Sequence, residues 1–310
     1  MMTDHREIAD ALAGLTIGKV MYNEPMALHT SLKMGGHADA LILIENEEQL
    51  GDVVGRLRAR EIPFLPVGNL SNVLVQDGGY RGALIWMRGL DRMVVSSPDA
   101  DGRYFIDVQA GAALARLVGM AAASELTGLE FCTGIPGSLG GAIWMNAGAY
   151  GKEMKDVVGS VLLFSNRGEK KVLTRKEIAF TYRNSNLPAD MIVSGARLVL
   201  QKGSGAQIQE RMAEIMKMRR EKHPLEYPSA GSVFRNLPGL AAGKLIEDLG
   251  LKGMRLGDVQ VSKKHGNFII NKGRGTATDM LALIALVQEK AWNEKGIRLE
   301  TEIVIIGEKA

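Results

Sequence analysis

The chain has a single cysteine, Cys132, among its 310 residues. That scarcity excludes an internal disulfide framework, thiolate-ligated zinc and iron–sulfur clusters, and it leaves Cys132 to be read as a small packing hydrophobe. Histidine is nearly as sparse. His5, His29, His37, His223 and His265 never pair at i, i+4, and there is no H-E-x-x-H, so no metal site is expected. Neither a G-x-S-x-G nucleophile elbow nor a G-x-x-x-x-G-K-[ST] phosphate loop occurs, and GRGTAT (273–278) supplies G-x-G without the third glycine of a dinucleotide fingerprint. With hydrolytic and metal machinery missing, an organic cofactor is the expected carrier of any chemistry. An excess of one charge sign is missing too: 38 Lys+Arg against 35 Asp+Glu leaves +3, too weak for a nucleic-acid footprint. No apolar run approaches the roughly 20 residues of a membrane span. MMTDHREIADALAGL has no signal-peptide core. A cytoplasmic protein touching neither nucleic acid nor membrane is expected.

What the sequence does have is glycine. It contains 37 glycines in 310 residues, against a usual share of about 7%. The apolar and charged fractions, 46% and 24%, are those of a soluble globular protein, and the length suggests about two to three domains. Strand-like and helix-like segments alternate. Strands are predicted at 38–45, 63–68, 82–87 and 103–111, with a hairpin over 160–174 turning at Asn166-Arg167-Gly168. Helices are predicted over 46–62, capped by Asn46, and over 113–126. After a polar break at KGSGAQ (202–207) comes a second αβ region with a charged helix (208–222), the segments AAGKLIEDLG (241–250) and NFIIN (267–271), a helix at 277–294 and a final strand at 299–307.

Two segments concentrate glycine where strands run into loops. In PVGNLSNVLV (66–75), backbone amides with Ser71 and Asn72 suit an anion, although an ordinary tight turn fits equally well. In 127–151, seven glycines in 25 residues leave little side chain to pack, which suggests a large ligand against the backbone. Three further places hold polar residues in unusual company. Arg183 sits in FTYRNSNLP (180–188) on a predicted loop rather than a charged helix face. Ser229, Gly231 and Ser232 precede Val233–Phe234, as turn residues or as something more. Glu300 and Glu302 fall on one face of the predicted final strand, where a solvated edge is the plain alternative.

These pieces, taken together and in order, resemble one family. HTSLKMGGHADA (29–40), PVGNLSNVLV, GIPGSLGGAIWMNAGAYG (134–151), TYRNSNLP (181–188), PSAGSVFRN (228–236), KHGNFIIN (264–271) and LETEIVIIG (299–307) resemble the motifs of the UDP-N-acetylenolpyruvoylglucosamine reductases, from about residue 25 to the end. The short distance from TYRNSNLP to the serine motif resembles the subclass without the extra tyrosine-bearing substrate loop. The resemblance implies an α+β fold. After an N-terminal segment (1–24), a two-lobed FAD-binding region of the vanillyl-alcohol-oxidase/PCMH type would cover 25–202, splitting near 95, and a C-terminal αβ substrate-binding domain 203–310.

The activity implied is an FAD-dependent reductase of peptidoglycan precursor synthesis. NADPH reduces FAD and departs; UDP-N-acetyl-3-O-(1-carboxyvinyl)glucosamine then takes hydride and a proton to give UDP-N-acetylmuramate. By motif position, FAD would meet Gly68, Asn69, Leu70, Ser71 and Asn72, and Gly134, Ile135, Pro136, Ser138, Gly140, Gly141, Asn146, Ala147 and Gly148. Ser232 matches the proton donor, and Arg183 and Glu302 match the pair that polarises the substrate carboxylate, a task suited to a bidentate guanidinium. Glu302 would help there only while carrying or sharing a proton. Tyr182, Lys222, Asn236 and Lys264 match substrate-binding positions, and a monomer is expected. Leu70 departs from the family's second loop glycine, and the expectation is a backbone there that avoids positive φ. A flavin oxidase with another substrate would give no reason for the serine–arginine–glutamate set. A nucleotide-sugar-binding protein that has lost flavin through Leu70 is the non-enzymatic alternative.

Overall fold

A computed structural model describes residues 5–165 and 168–310. The first four residues of the predicted 1–24 segment, and Asn166 and Arg167 of the predicted hairpin turn, lie outside the described residues. The chain forms two compact units that interleave along the sequence. Of the described residues, those within 5–22, 40–69 and 82–218 form one, and those within 23–39, 70–81 and 219–310 form the other.

The first unit holds two sheets over one buried core. A four-stranded sheet runs in the order Lys19–Pro25, His37–Leu43, Tyr80–Trp86, Phe64–Val67, its last pair parallel. The helix Glu47–Ala59 turns Leu50, Val53, Val54 and Leu57 inward at helical spacing. Asn46 accepts from the Gln49 amide at 2.9 Å and starts this helix as expected. A six-stranded antiparallel sheet is centred on Met191–Lys202, which pairs with Val158–Ser165 on one side and Arg103–Gln109 on the other. The predicted hairpin strands are present as Val158–Ser165 and Lys170–Thr174.

Two expectations here need correction. The glycine-rich stretch 127–151 is not loop throughout: Leu139–Trp144 is a helix, with Leu139, Ala142 and Ile143 buried. The polar break at 202–207 is shorter than expected, because the strand runs to Lys202 and the next helix begins at Gly205.

The second unit has its own core, built on Phe234, Leu245, Ile246, Val261, Ile269, Met280 and Leu283. A four-stranded antiparallel sheet runs in the order Ser229–Ser232, Phe268–Asn271, Val259–Val261, Arg255–Leu256. The predicted final strand is also corrected: regular structure covers only Val304–Ile306, in parallel register with Val73–Val75. Before it, Leu299 and Ile303 are buried and Thr301 makes a single bridge to Phe234. Residues two apart share one face of an extended chain, so the burial of Leu299 and Ile303 keeps the predicted alternation, but the single bridge at Thr301 is too little pairing for a regular strand there.

The last helix, Ala277–Lys295, shows why GRGTAT holds no phosphate-like group. Its first turn is already occupied by the Asp77 carboxylate, which accepts from the amides of Ala277 (2.9 Å) and Thr278 (2.8 Å) and from Thr278 Oγ1 (2.6 Å). Partial burial pushes the Asp77 pKa up, but these three hydrogen bonds outweigh it and hold the carboxyl below its ordinary value. Its stabilisation is therefore present above the unfolded pKa of about 4 and is lost as pH falls through the folded value. Asp77→Ala is expected to lower stability by about 1 kcal/mol at neutral pH, a typical helix-cap loss. Urea melts should show that deficit closing in strong acid; a deficit independent of pH would contradict the assignment.

Candidate active site

In the first unit two of the glycines expected to meet FAD, Gly68 and Gly141, lie near Ser138. Gly68 leaves the strand Phe64–Val67, and a Cβ added to it would stand 2.2 Å from Ser138 Oγ. Glycine is required here for space. The nearest neighbour of a Cβ on Gly141 would be the same oxygen, at 3.9 Å. Ser138 is buried and its hydroxyl has no hydrogen-bond partner; the Thr133 hydroxyl is likewise buried and unpartnered. The Ser138 hydroxyl fills the space that a side chain at residue 68 would take, and each of these two buried hydroxyls keeps an unused hydrogen-bonding capacity. The segment beneath is rigidly tied: Leu139 and Gly140 amides donate to Ala112 O (2.9 Å) and Ala110 O (2.8 Å), and Leu114 N donates to Gly137 O. Gly134, Ile135 and Pro136 lie just ahead, at the surface or partly covered, with Ile135 N bonded to Cys132 O. Cys132 itself is buried.

Asn146 has a different task from the glycines around it. It is fully buried at φ 44, and its amide donates to Glu153 Oε2 and Thr181 O, both 2.9 Å, while Oδ1 accepts from Lys155 N. Its side chain thus fastens the 146–148 turn, with Ala147 and Gly148, to the TYRN turn. Arg183 sits in that turn at φ 55 and donates from Nη2 to Gly148 O at 3.0 Å, its guanidinium 5.0 Å from the Tyr182 ring centroid. Ser185 anchors the far side of the turn, donating to Trp144 O at 2.8 Å. Left-handed backbone at an arginine costs roughly 1–3 kcal/mol and persists only where the surroundings enforce it.

Chain passage between the units falls inside the first loop, between Asn69 and Leu70. The expectation for Leu70 is overturned: it adopts φ 49. The physical reason is burial. A left-handed non-glycine residue costs about 1–2 kcal/mol, whereas burying a leucine side chain contributes about 1.5–3 kcal/mol, and Leu70 is 3% exposed.

In the second unit Asn72 and Glu302 are stitched together. Asn72 Nδ2 donates to Glu302 O at 3.1 Å, and Val304 N donates to Asn72 O at 3.0 Å. Glu302 N in turn donates to Val233 O at 2.7 Å. Ser232 and Glu302 are therefore brought within one peptide of each other, with Ser71 adjacent to Asn72 on the same loop. Glu300 is separated from this arrangement, its side chain 77% exposed. Lys264 reaches Arg220 O with its ammonium at 2.5 Å, which places it against the end of the helix that carries Lys222. Asn236 uses Oδ1 to accept from Ala242 N at 3.0 Å, at the start of the helix Ala242–Asp248.

Sequence spacing gave no sign of one cluster. His223 and His265 meet at 5.6 Å, each packed on Phe268 at 4.9 and 4.8 Å. Burial, then the charges of Arg219, His265, Lys264 and Lys222, push the His223 pKa down to about 4. A cavity of about 480 Å³ in the first unit, with Phe131, Tyr150, Lys152 and Arg211 among its walls, contains none of the expected site residues. Among the described residues no group of three or more metal-ligating side chains occurs, and no helix is long and apolar enough to cross a membrane.

Residues 38–174 match the family described as FAD binding domain, and the class of the chain is that of an FAD-dependent oxidoreductase. Residues 223–306 match UDP-N-acetylenolpyruvoylglucosamine reductase, C-terminal domain. The chain is 43% identical over 301 residues to the UDP-N-acetylenolpyruvoylglucosamine reductase of Syntrophus aciditrophicus, covering 97% of this chain and 96% of that one. It is 43% identical over 308 residues to that of Lactococcus lactis subsp. cremoris, covering 99% of each. The crystal structure of the reductase from Thermus caldophilus superposes with a TM-score of 0.77 at 37% identity, over 93% of this chain and 98% of that chain. The chain belongs to the UDP-N-acetylenolpyruvoylglucosamine reductase family.

Two outcomes follow from this geometry. Gly68→Ala should destabilise by about 1–3 kcal/mol through overpacking. Much of that loss should vanish in a Ser138→Ala background, where the nearest remaining atom of residue 138 lies 3.5 Å from the new Cβ; equal losses in both backgrounds would place the clash elsewhere. For His223, both folded and unfolded chains hold a neutral ring above pH 6.5. As pH falls from 6.5 towards about 4 the unfolded chain binds a proton that the folded chain refuses, so stability falls with pH in that window. His223→Phe should flatten that part of a stability–pH curve from urea melts; an unchanged slope would refute the cause.

Proposed function

We propose that this protein is the NADPH-dependent reductase that converts UDP-N-acetyl-3-O-(1-carboxyvinyl)glucosamine to UDP-N-acetylmuramate in peptidoglycan precursor synthesis, working as a cytoplasmic monomer. The observation that carries the reading is the 2.7 Å hydrogen bond from Glu302 N to Val233 O, which fixes Glu302 beside the peptide that follows Ser232. A carboxylate-polarising residue and a proton donor have to be close and rigid together, because each misplacement of about 1 Å costs up to roughly a hundredfold in rate.

FAD, held by the loops 68–72 and 134–148, would take electrons from NADPH and supply hydride to the substrate. The chain's own residues supply the rest. Arg183 would grip the substrate carboxylate through both oxygens and stabilise the negative charge that grows there once the methylene carbon is reduced. The strained turn and the bond to Gly148 O favour one orientation of that guanidinium. Glu302 would act on the same carboxylate while carrying or sharing a proton. Ser232 would give its hydroxyl proton to the carbon bearing the carboxylate. A serine hydroxyl is a weak acid, and the carbanion-like partner is basic enough to take its proton only when the hydroxyl is held in place. Lys222 and Lys264 would face the diphosphate, with Tyr182 and Asn236 completing the substrate contacts. NADPH and the enolpyruvyl substrate would be used in turn.

Ser232→Ala tests this reading. Bleaching of the bound flavin by NADPH should proceed at the normal rate, while turnover of the enolpyruvyl sugar nucleotide falls by at least about 10²–10⁴-fold, the usual weight of a general acid. Normal turnover in the variant would remove Ser232 from the proton-donor role.

A further inference from the structure

The regular pairing of the strand Ser229–Ser232 ends at Ser232, opposite Phe268, after an irregularity at Ala230–Gly231. The next two residues, which carry the positioning of Ser232 onward to Glu302, are held on the sheet side by one residue. Asn267 O accepts from Val233 N at 2.8 Å; Asn267 Oδ1 accepts from Phe234 N at 2.9 Å; and Asn267 Nδ2 donates to Phe234 O at 2.8 Å. A primary amide on a residue 3% exposed thus imitates a strand backbone and gives Phe234 two hydrogen bonds, beside the one that the Asn267 main-chain carbonyl gives Val233. On the opposite side the same segment receives Glu302 N at Val233 O and offers Arg235 N to Glu300 O at 2.9 Å.

Asn267 is oriented in its turn by His265, whose Nδ1 accepts from Asn267 N at 3.1 Å. That role requires an unprotonated Nδ1, with the ring proton on Nε2. The surroundings enforce it. The ring is packed on Phe268 and His223, and a Cβ added to Gly243 would come within 3.0 Å of Cε1. Burial first, then Lys252 and Lys222, push the His265 pKa down, against the opposing pull of Glu247 and of a backbone hydrogen bond. Arg219, Lys222 and Lys264 bear on the neighbouring His223.

We propose that Asn267, oriented by the imidazole of His265, is the positioning residue that sets the Val233–Phe234 segment and thereby the placement of Ser232 relative to Glu302. The proposal rests on the reading of Ser232 as proton donor. Neither Asn267 nor His265 is assigned contact with substrate or cofactor.

The test uses the flavin-loaded enzyme under anaerobic conditions, with the NADPH and enolpyruvyl half-reactions followed separately beside thermal melts. Asn267→Ala should leave flavin reduction by NADPH within about twofold. It should slow the enolpyruvyl half-reaction by up to about a hundredfold, the scale of a 1 Å misplacement, with kcat falling while KM for that substrate is little changed. His265→Leu should do the same. His265→Asn places an oxygen where Nδ1 accepts and has no proton to gain in acid, so it should restore the rate to within a few-fold. Its rate–pH profile should lose the acid limb that wild type shows below pH 6.5, the ordinary value for the ring. Should Asn267→Ala fail to fold, the contrast between His265→Asn and His265→Leu carries the same test. Lowered melting temperature with an unchanged enolpyruvyl half-reaction would overturn the proposal and leave a purely structural amide. A Ser232→Ala control separates the two failures: if that variant turns over normally, the proton-donor reading falls, whereas its loss of turnover beside a normal Asn267→Ala defeats only the positioning role.

Discussion

Glu302 is held by hydrogen bonds to two segments far from it in sequence. Its amide donates to Val233 O, its carbonyl accepts from Asn72 Nδ2, and the peptide that follows returns a bond from Val304 N to Asn72 O. From this knot the parallel pair Val73–Val75 and Val304–Ile306 follows, because Asn72 sets the register of the strand it precedes. Each bond contributes only about 1 kcal/mol net, yet removing one partner would strand polar groups that burial makes costly to leave unpaired. The knot couples the end of a glycine loop of the flavin-binding type to the segment carrying Ser232. A change at Asn72 therefore acts on the proposed proton donor through backbone geometry, even though Asn72 is expected from its motif to serve the cofactor.

Two buried amide side chains, Asn146 and Asn267, do the same kind of work in different units. Each is buried, uses both ends of its amide, and ties a functional turn to a neighbouring segment. Side-chain amides suit this because they offer a donor and an acceptor in one plane without charge, so burial carries no ionic desolvation cost. Of the nine non-glycine residues with positive φ among the described residues, Leu70, Asn146 and Arg183 stand at expected site positions. At Leu70 the strain is offset by burial, and at Asn146 by three hydrogen bonds.

Local elements were legible in the sequence because their signals are local. Asn46 announces the helix Glu47–Ala59, and apolar runs bounded by glycine or proline mark the strands Phe64–Val67 and Tyr80–Trp86. Non-local features were not legible. The central strand Met191–Lys202 carries Ser194, Gly195 and Arg197 in its middle and reads as no clean pattern; it is a strand because partners on both sides complete its ladder. The interleaving of the two units depends on 23–39 and 70–81 finding 219–310, which no spacing rule expresses. Glycine was half legible. Gly68 and Gly140 are both needed because the chain's own atoms fill the space: a Cβ would lie 2.2 Å from Ser138 Oγ at the first and 2.9 Å from Ala110 Cβ at the second. His223 and His265 show the same limit, since only the fold brings them to one phenylalanine.

In the proposed function this chain binds FAD and passes reducing equivalents from NADPH to the enolpyruvyl sugar nucleotide through residues fixed around Val233 and Glu302. Anaerobic titration of the purified, flavin-loaded wild-type protein tests it most directly. Stoichiometric NADPH should bleach the flavin absorbance, and stoichiometric UDP-N-acetyl-3-O-(1-carboxyvinyl)glucosamine should then restore it with release of UDP-N-acetylmuramate. A protein that takes up no FAD, or whose bleached flavin is left unchanged by that substrate, would contradict the claim.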